Sequence, residues 1–263
     1  MLKHLLRIIS AVFLAGLLSA APSAAADLQA IISSGKIRIG VPIDVPPFGS
    51  VDANKEAAGL DVDMAKKIAE ALGVKLEIQQ ITGANRIPYL VTDRLDVVIA
   101  AMGATPERAL QISFTSPYAA LSIGVFGPDS IAVKSPADLT DQTVAVARGT
   151  TQDLKLTELA PNAKLQRYDD DAAAAAAFLS GQAQLLATAD VVAKDMMDKD
   201  PKVQLKPKFI LEFSPCYIGI QQGNPELLHW LNTYIHISML DGSLSALSEK
   251  WIGTPLPKPF PSF

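Results

Sequence analysis

The sequence predicts an α/β protein with mainly parallel sheets that are covered by helices on both faces. Short apolar strands alternate with helical segments along the chain, and this alternation is typical of parallel sheets. The series strand–helix–strand–helix–strand occurs twice, over residues 36–102 and 143–189, which predicts two α/β lobes of similar size. In such sheets ligands bind at the carboxyl ends of strands, where the strand order reverses.

The first 26 residues are predicted to be a secretory signal peptide rather than part of the fold. Lys3 and Arg7 form a charged start, residues 8–18 are mostly apolar, and residues 24–26 are the small alanines that signal peptidase requires. A membrane anchor is the alternative, but the apolar stretch is too short to span a bilayer comfortably. We therefore expect export to the periplasm, with cleavage before Asp27.

The elements of the first series have recognisable start and stop signals. In the helix over 61–73, Asp61 or Asp63 is expected to cap the start, and Gly73 ends the helix. The other elements of this series are strands at 36–41, 75–81 and 95–102 and a short helix at 85–94.

The second series repeats this plan and is followed by the C-terminal elements. The helix over 150–159 follows Gly149, and Thr150 or Thr151 is expected to cap it. The remaining segments are strands at 143–148, 164–169 and 184–189, an alanine-rich helix at 171–180, two separate strands at 208–213 and 216–221, and helices at 225–240 and 243–253.

Composition excludes several classes of function. The net charge is −4 and no cluster of lysine and arginine stands out, so nucleic acid is not an expected partner. Cys216 is the only cysteine, which rules out an internal disulfide and favours a buried structural role. We expect no metal and no cofactor, because His229 and His236 fit an ordinary helix and the acids at 169–171 fit a helix start.

Two loops contain residues suited to binding an anion. Thr105 and Arg108 follow strand 95–102, and the sequence Arg-Gly-Thr-Thr-Gln, residues 148–152, follows strand 143–148. A guanidinium binds a carboxylate through two parallel hydrogen bonds, and a helix N-terminus attracts anions through its free N–H groups. These loops predict a carboxylate clamp with one part in each lobe. The alternative is two ordinary helix caps and a surface arginine.

Five motifs, in order, resemble those of the extracytoplasmic solute-binding proteins of amino-acid-type ABC transporters, known as family 3. The resemblance extends over nearly all of residues 36–253, and these motifs are its landmarks. They are IRIGVPIDVPPF (37–48), GLDVDMAKKIAEALG (59–73), the segment from NRIPYL to FTSPY (85–118), VAVARGTTQDL (144–154) and DGSLSALSEKWIG (241–253).

The resemblance implies a two-lobed type II periplasmic-binding-protein fold. Lobe 1 would contain residues 27–122 and 217–263, lobe 2 would contain residues 123–216, and hinge strands would cross near 121–127 and 212–219. Such a protein is a monomer without enzymatic activity. It closes on a small solute and delivers it to an ABC permease in the inner membrane.

The resemblance also implies roles for individual residues. Arg108 matches the position that holds the α-carboxylate of the ligand, with Thr105 beside it. From the second lobe, Thr150 and Thr151 match hydroxyl and amide contacts to the same group, and Gln152 matches a neighbouring contact position.

Departures from the family pattern concern the rest of the site. Ala189 stands where members usually have the aspartate that pairs with the α-ammonium, and Asp190 follows one residue later. Gly103 replaces a common hydroxyl residue, and Val45 stands where the family often has an aromatic wall. Phe48 is an aromatic residue near the predicted cleft, although its expected place is beneath the loop.

The balance of charge predicts the class of ligand. Arg86 resembles the position that binds a side-chain carboxylate, with a helix-surface arginine as the alternative. Arg148 would add a further positive charge or pair with Asp190. Because buried guanidinium groups require anions, an acidic or other polar amino acid is expected, with aspartate or glutamate first. A dicarboxylate or other organic acid without the amine is the alternative.

A second class of function is an enzyme, because some dehydratases of aromatic amino-acid biosynthesis share this fold. Such an enzyme requires a general acid positioned over the leaving group. Glu107 and Asp190 are the candidates that the sequence offers for this acid.

Overall fold

The computed structural model describes residues 27–260, and the predicted signal peptide lies outside the described residues. The strands are β1 (Lys36–Val41), β2 (Ser50–Val51), β3 (Ala57–Ala58), β4 (Lys75–Gln80), β5 (Val97–Met102), β6 (Ile112–Gly127), β7 (Thr143–Ala147), β8 (Lys164–Tyr168), β9 (Leu185–Ala189) and β10 (Lys206–Gln221). The helices are α1 (Leu28–Ser34), α2 (Leu60–Leu72), α3 (Arg86–Val91), α4 (Pro106–Ala109), α5 (Thr151–Leu159), α6 (Asp171–Leu179), α7 (Asp190–Lys199), α8 (Pro225–Leu240) and α9 (Ser243–Ile252), with a 3₁₀ helix at Pro136–Leu139.

Eight of the strands form one mixed sheet in the order β4-β1-β5-β10-β6-β9-β7-β8, while β2 and β3 form a separate antiparallel pair. Strand β1 is parallel to β4 and β5, and β7 is parallel to β8 and β9. The two long strands in the middle, β6 and β10, are antiparallel to each other and to the strands beside them. The sheet therefore has two parallel three-stranded groups, joined through β6 and β10.

Two expectations about elements are wrong. The strands expected at 208–213 and 216–221 are one continuous strand, because the residues between them keep pairing with β6; Pro215, for example, lies opposite Ala120. Neither Asp61 nor Asp63 caps α2: the N-cap is Gly59, with no side-chain cap, and Asp61 is buried. By contrast, α5 is capped by Thr150, whose hydroxyl accepts a hydrogen bond from the Asp153 amide.

Each parallel group has its own apolar core. In the first group, Ile37 and Ile39 of β1 pack with Ile68 of α2 and with Leu231 of the C-terminal helix α8. In the second group, a cluster that includes Val144 fills the space between the sheet and α5. None of the helices within residues 27–260 is long and apolar enough to cross a membrane.

The pairing of β6 with β10 is long but irregular. It extends from Lys206 opposite Gly127 to Gln221 opposite Ile112, and the register shifts at several points along it. Such shifts bend and twist a strand pair. Gly124 allows the two backbones to approach closely, because a Cβ atom there would lie 2.5 Å from the carbonyl oxygen of Phe209.

We predict that Gly124→Ala destabilises the protein by about 1–3 kcal/mol, as overpacking of a filled site does. The added methyl group forces β10 away from β6 at the centre of the sheet. Thermal unfolding of the variant measures this loss. Ser122→Ala on the same strand adds no atoms and is the control, and an unchanged melting temperature for Gly124→Ala would contradict the close approach.

Candidate ligand-binding site

A small cavity of about 40 Å³ lies at the carboxyl ends of the parallel strands. Its wall contains residues from both parallel groups and from the two long strands. The lining residues are Val45, Arg86, Ala100, Ala101, Leu121, Ile123, Thr150, Thr151, Gln152, Asp171, Thr188, Ala189, Val192 and Ser214.

The cavity requires a sharply bent sheet. Arg86 follows β4 and Asp171 follows β8, which are the two opposite edges of the sheet. Seven strand spacings of about 4.8 Å would separate these edges by about 34 Å in a flat sheet. Because both residues line one small cavity, the two parallel groups face each other across it, with β6 and β10 at the bend.

Arg108 connects the two groups. Its Nη1 donates to the Gly103 carbonyl at 2.6 Å and to the Thr151 hydroxyl at 3.1 Å, and its Nη2 donates to the Gly149 carbonyl at 2.9 Å. Thr105 caps the short helix that holds it, accepting from the Arg108 amide at 3.2 Å. Burial, together with the nearby charge of Arg86, lowers the pKa of Arg108 to about 9.

The start of α5 faces Arg108 from the second group. Thr150, Thr151 and Gln152 are buried and line the cavity. The Thr150 hydroxyl donates to the Ala147 carbonyl at 2.8 Å, so it is occupied in fixing the turn. The amides of Thr151 and Gln152 lie in the first turn of the helix, where no intrahelical acceptor exists. These amides and the Thr151 hydroxyl can receive an anion.

Arg86 is a buried residue, only 8% exposed, which excludes the alternative of a helix-surface arginine. Its Nη1 donates to the Ala100 carbonyl at 3.2 Å, whereas its Nε has no hydrogen-bond partner among the described residues. Burial lowers the pKa of Arg86, and the charges of Asp171, Asp61 and Asp44 oppose this shift. Arg86 thus lines the cavity and has one buried donor without a partner in the described chain.

Asp171 is a site residue that the sequence reasoning missed. Its carboxyl group accepts no hydrogen bond from residues 27–260, and the residue lines the cavity. Its amide donates to the Asp44 carboxylate of the first group at 3.0 Å. Burial and the nearby Asp44 raise the pKa of Asp171 to about 7, against the effect of Arg86. The sequence signal that could have identified Asp171 is its position just after β8, because ligands bind at the carboxyl ends of strands.

A buried pair lies behind Arg86. Asp61 is fully buried and accepts a hydrogen bond from the Tyr118 hydroxyl at 2.6 Å, while its other oxygen has no partner among the described residues. The Tyr118 oxygen accepts from the Ala101 amide at 3.1 Å. Ala101 lines the cavity with a φ of 45°, a strained value for a residue with a side chain. Burial raises the pKa of Asp61 to about 7.

Six residues expected in the site are not part of the cavity lining. Arg108, Thr105 and Gly103 lie next to it, and Arg108 contacts the lining residue Thr151.

The other three lie elsewhere. Phe48 is fully buried in the core of the first group. Asp190 lies outside the cavity lining, where its Oδ1 accepts from the Ser122 amide at 3.2 Å and from the Val191 amide. Arg148 is exposed, and within residues 27–260 it forms no ion pair with Asp190.

The small residues have distinct roles. Ala189 lines the cavity wall. It presents a methyl group at the position where an aspartate would present a hydrogen-bond acceptor. A Cβ atom at Gly103 would lie 2.8 Å from the Ser214 hydroxyl, so this position leaves no room for a side chain. Gly83 and Gly149 bring the two groups into backbone contact, because a Cβ atom at Gly83 would lie 2.6 Å from the Arg148 carbonyl.

Other candidates do not contribute to this cavity. Glu107 is exposed, as are His229 and His236 on α8. Asp170 caps α6 by accepting from the Ala173 amide. No group of metal-binding side chains occurs within the described residues.

Two α/β groups that face each other over a small charged cavity define a type II periplasmic-binding-protein fold. The chain matches the bacterial extracellular solute-binding proteins, family 3, over residues 37–254, and it belongs to this family.

Individual relatives match this chain over most of their length. The chain is 28% identical to an ABC transporter arginine-binding protein of Escherichia coli, over 82% of this chain and 90% of the relative. It is 29% identical to an ABC transporter glutamine-binding protein of Bacillus subtilis, with 86% and 84% covered. The solved structure of the solute receptor for L-cysteine of Neisseria gonorrhoeae is 34% identical, with a TM-score of 0.81 and coverage of 86% and 93%.

We predict that stability falls as the pH rises from about 4 to 7. The pKa of Asp61 is about 7 in the folded protein and about 3.9 in an unfolded chain, so the folded state binds more protons in this range. One such group contributes a slope of at most about 1.4 kcal/mol per pH unit. Asp61→Asn should make the slope shallower, as urea unfolding across this pH range would measure.

Glu70→Gln, which removes an exposed carboxyl group from the same helix, is the control and should leave the slope unchanged. If Asp61→Asn and the wild type have parallel pH profiles, then Asp61 is not protonated on folding.

Proposed function

We propose that this protein is the periplasmic receptor of an amino-acid ABC importer, which captures one amino acid in the cavity and presents it to a membrane permease. In this proposal the signal peptide is removed, the receptor acts as a monomer, and it catalyses no reaction. The observation that carries the proposal is the cavity wall, in which Arg86, Asp171 and the start of α5 present groups of both charges to one small cavity.

The size of the cavity supports a cycle of opening and closing. Its 40 Å³ is room for about three water molecules, at roughly 10–15 Å³ each in this measure, and too little for an amino acid. Lobe 1 (27–122 and 217–263) and lobe 2 (123–216) therefore separate to admit the solute. A ligand that contacts both lobes binds the closed state better and shifts the population towards it.

Arg108 is the proposed partner of the α-carboxylate. It now donates to neutral oxygens of Gly103, Thr151 and Gly149. A carboxylate between Arg108 and the start of α5 would replace such contacts by charge-assisted hydrogen bonds, which are roughly twice as strong. Closure would then depend on the ligand.

The favoured ligand is an amino acid with a neutral or polar side chain rather than an acidic one. The expectation of an acidic ligand rested on two or three arginines facing at most one acid. Arg148 is exposed, and the positive charge of Arg86 is offset by the nearby carboxyl groups of Asp171, Asp61 and Asp44. The cavity therefore lacks the excess of positive charge from which an acidic ligand was expected. The relatives named above bind arginine, glutamine and cysteine, which supports an amino acid.

The dehydratase alternative has little support at the residues proposed for it. Glu107 is exposed, and Asp190 is held by the Ser122 amide outside the cavity lining. Incubation with prephenate and arogenate tests this alternative directly. Formation of an aromatic product would overturn the receptor proposal.

A thermal-shift screen of the twenty amino acids and a set of organic acids tests the proposed function. A ligand at 100 times its Kd stabilises the folded state by about 2.7 kcal/mol, which raises the melting temperature by roughly 5–10 °C. We expect such shifts for one or a few amino acids. Shifts with organic acids alone, or with no amino acid, would contradict the proposal.

We predict that Arg108→Ala weakens binding of the best amino acid by about 2–5 kcal/mol, the usual result of truncating one partner of a buried charge pair. Isothermal titration calorimetry measures the loss. Arg94→Ala, which removes an exposed arginine stacked on Tyr89, is the matched control and should bind as the wild type does. Equal affinity of the two variants would remove Arg108 from the site.

A further inference from the structure

We propose that Asp171 receives the α-ammonium group of the ligand and so selects amino acids over the corresponding acids without an amine. This inference rests on the proposed function and adds the chemical group that the site selects.

The carboxyl group of Asp171 is free for this role. The residue lines the cavity, and its carboxyl oxygens accept no hydrogen bond within residues 27–260. It is not needed to cap α6, because Asp170 accepts from the Ala173 amide at 2.7 Å. Its backbone is held in place by the hydrogen bond from its amide to Asp44 at 3.0 Å. An acceptor with a fixed backbone and free oxygens is suited to a ligand cation.

The usual location of an ammonium partner is not available in this chain. Strand β9 ends at Ala189, which presents only a methyl group to the cavity. Asp190 lies outside the lining and its Oδ1 accepts two amides, those of Ser122 and Val191. Asp171 is the acidic residue in the cavity lining. In this chain the acidic side chain that can accept the ammonium group is therefore at the start of α6 and not at the end of β9.

The charges around Asp171 favour a cationic group. Burial and the nearby carboxylates of Asp44 and Asp170 raise the pKa of Asp171. Arg86 opposes this shift without forming an ion pair within 4 Å in the described chain. An ammonium group at Asp171 would offset this excess of negative charge. Arg86, whose Nε has no partner in residues 27–260, remains available to a ligand oxygen. A zwitterion thus satisfies both open groups, whereas a hydroxy acid offers the carboxylate only a neutral hydroxyl donor in place of a cation.

The test is isothermal titration calorimetry with pairs of ligands. The two members of a pair are identical except that one has an α-amine where the other has an α-hydroxyl group. The probes are L-arginine with L-argininic acid, L-glutamate with L-2-hydroxyglutarate, and L-methionine with its 2-hydroxy analogue. We expect the wild type to bind at least one amino acid at least tenfold more tightly than its hydroxy acid. In Asp171→Asn, amino-acid affinity should fall 10- to 100-fold while hydroxy-acid affinity is unchanged or higher.

Asp169→Asn is the matched control. It removes the same charge from an exposed residue two positions away, whose side chain forms no hydrogen bond or ion pair within residues 27–260. It should keep the wild-type ratio of amino-acid to hydroxy-acid affinity. Equal losses for both members of a pair in Asp171→Asn would overturn the inference, because they would mean that Asp171 only orients Arg86 or supports closure.

The wild type provides a second measurement that needs no variant. The affinity ratio should rise between pH 5.5 and 8 as Asp171 ionises beside Asp44, Asp170 and Arg86, and a constant ratio would overturn the role of Asp171. Hydroxy acids that bind as tightly as amino acids would also overturn it and leave solute binding intact. A wild type that binds none of the probes and shows no thermal shift with any of the twenty amino acids would overturn the amino-acid function itself, and the inference with it.

Discussion

The antiparallel pairing of β6 with β10 is the constraint on which the rest of the structure depends. Each strand is sixteen residues long and belongs to both halves of the sheet. Their outer neighbours are β5 and β9, the innermost strands of the two parallel groups. The same pair supplies Leu121, Ile123 and Ser214 to the cavity wall. Because the backbone ladder continues through the bend, the groups can change their relative angle only by twisting this pair at its register shifts.

The site combines this geometry with poorly compensated charge. Arg86 and Asp61 each retain a buried polar atom without a partner in the described chain, and Asp171 adds an open carboxyl group. Buried charges of this kind reduce stability unless they are paired. Arg86 and Asp171 line the cavity, whereas Asp61 lies outside the lining. In the proposed function a ligand that pairs Arg86 and Asp171 would relieve part of this penalty. Tyr118, fixed between Asp61 and Ala101, keeps this arrangement rigid.

Local sequence patterns were sufficient to predict most helices and strands. They were insufficient to predict which side chains point into the cavity and which point to solvent. Strands such as β1 and β7 and the helix that ends at Gly73 follow from apolar runs and stop signals. Strand β10 was divided in two because Pro215 interrupts its apolar pattern, and only pairing with β6 shows that it continues. Arg86 and Arg148 have the same chemistry in sequence, yet one is buried and the other exposed. Asp171 was missed because three consecutive acids also suit any helix start.

The insertion of β10 between β5 and β6 also determines when the cavity can exist during synthesis. The group that contains β7, β8 and β9 comes from a contiguous stretch, residues 128–205, and can assemble as soon as that stretch is available. In the first group β1 can pair with β4 and β5 early. However, β5 and β6 have no common neighbour until β10 is present, and the core also needs Leu231 and Leu247 from the C-terminal helices. The first group, and with it the candidate cavity, is therefore complete only when nearly the whole chain is available.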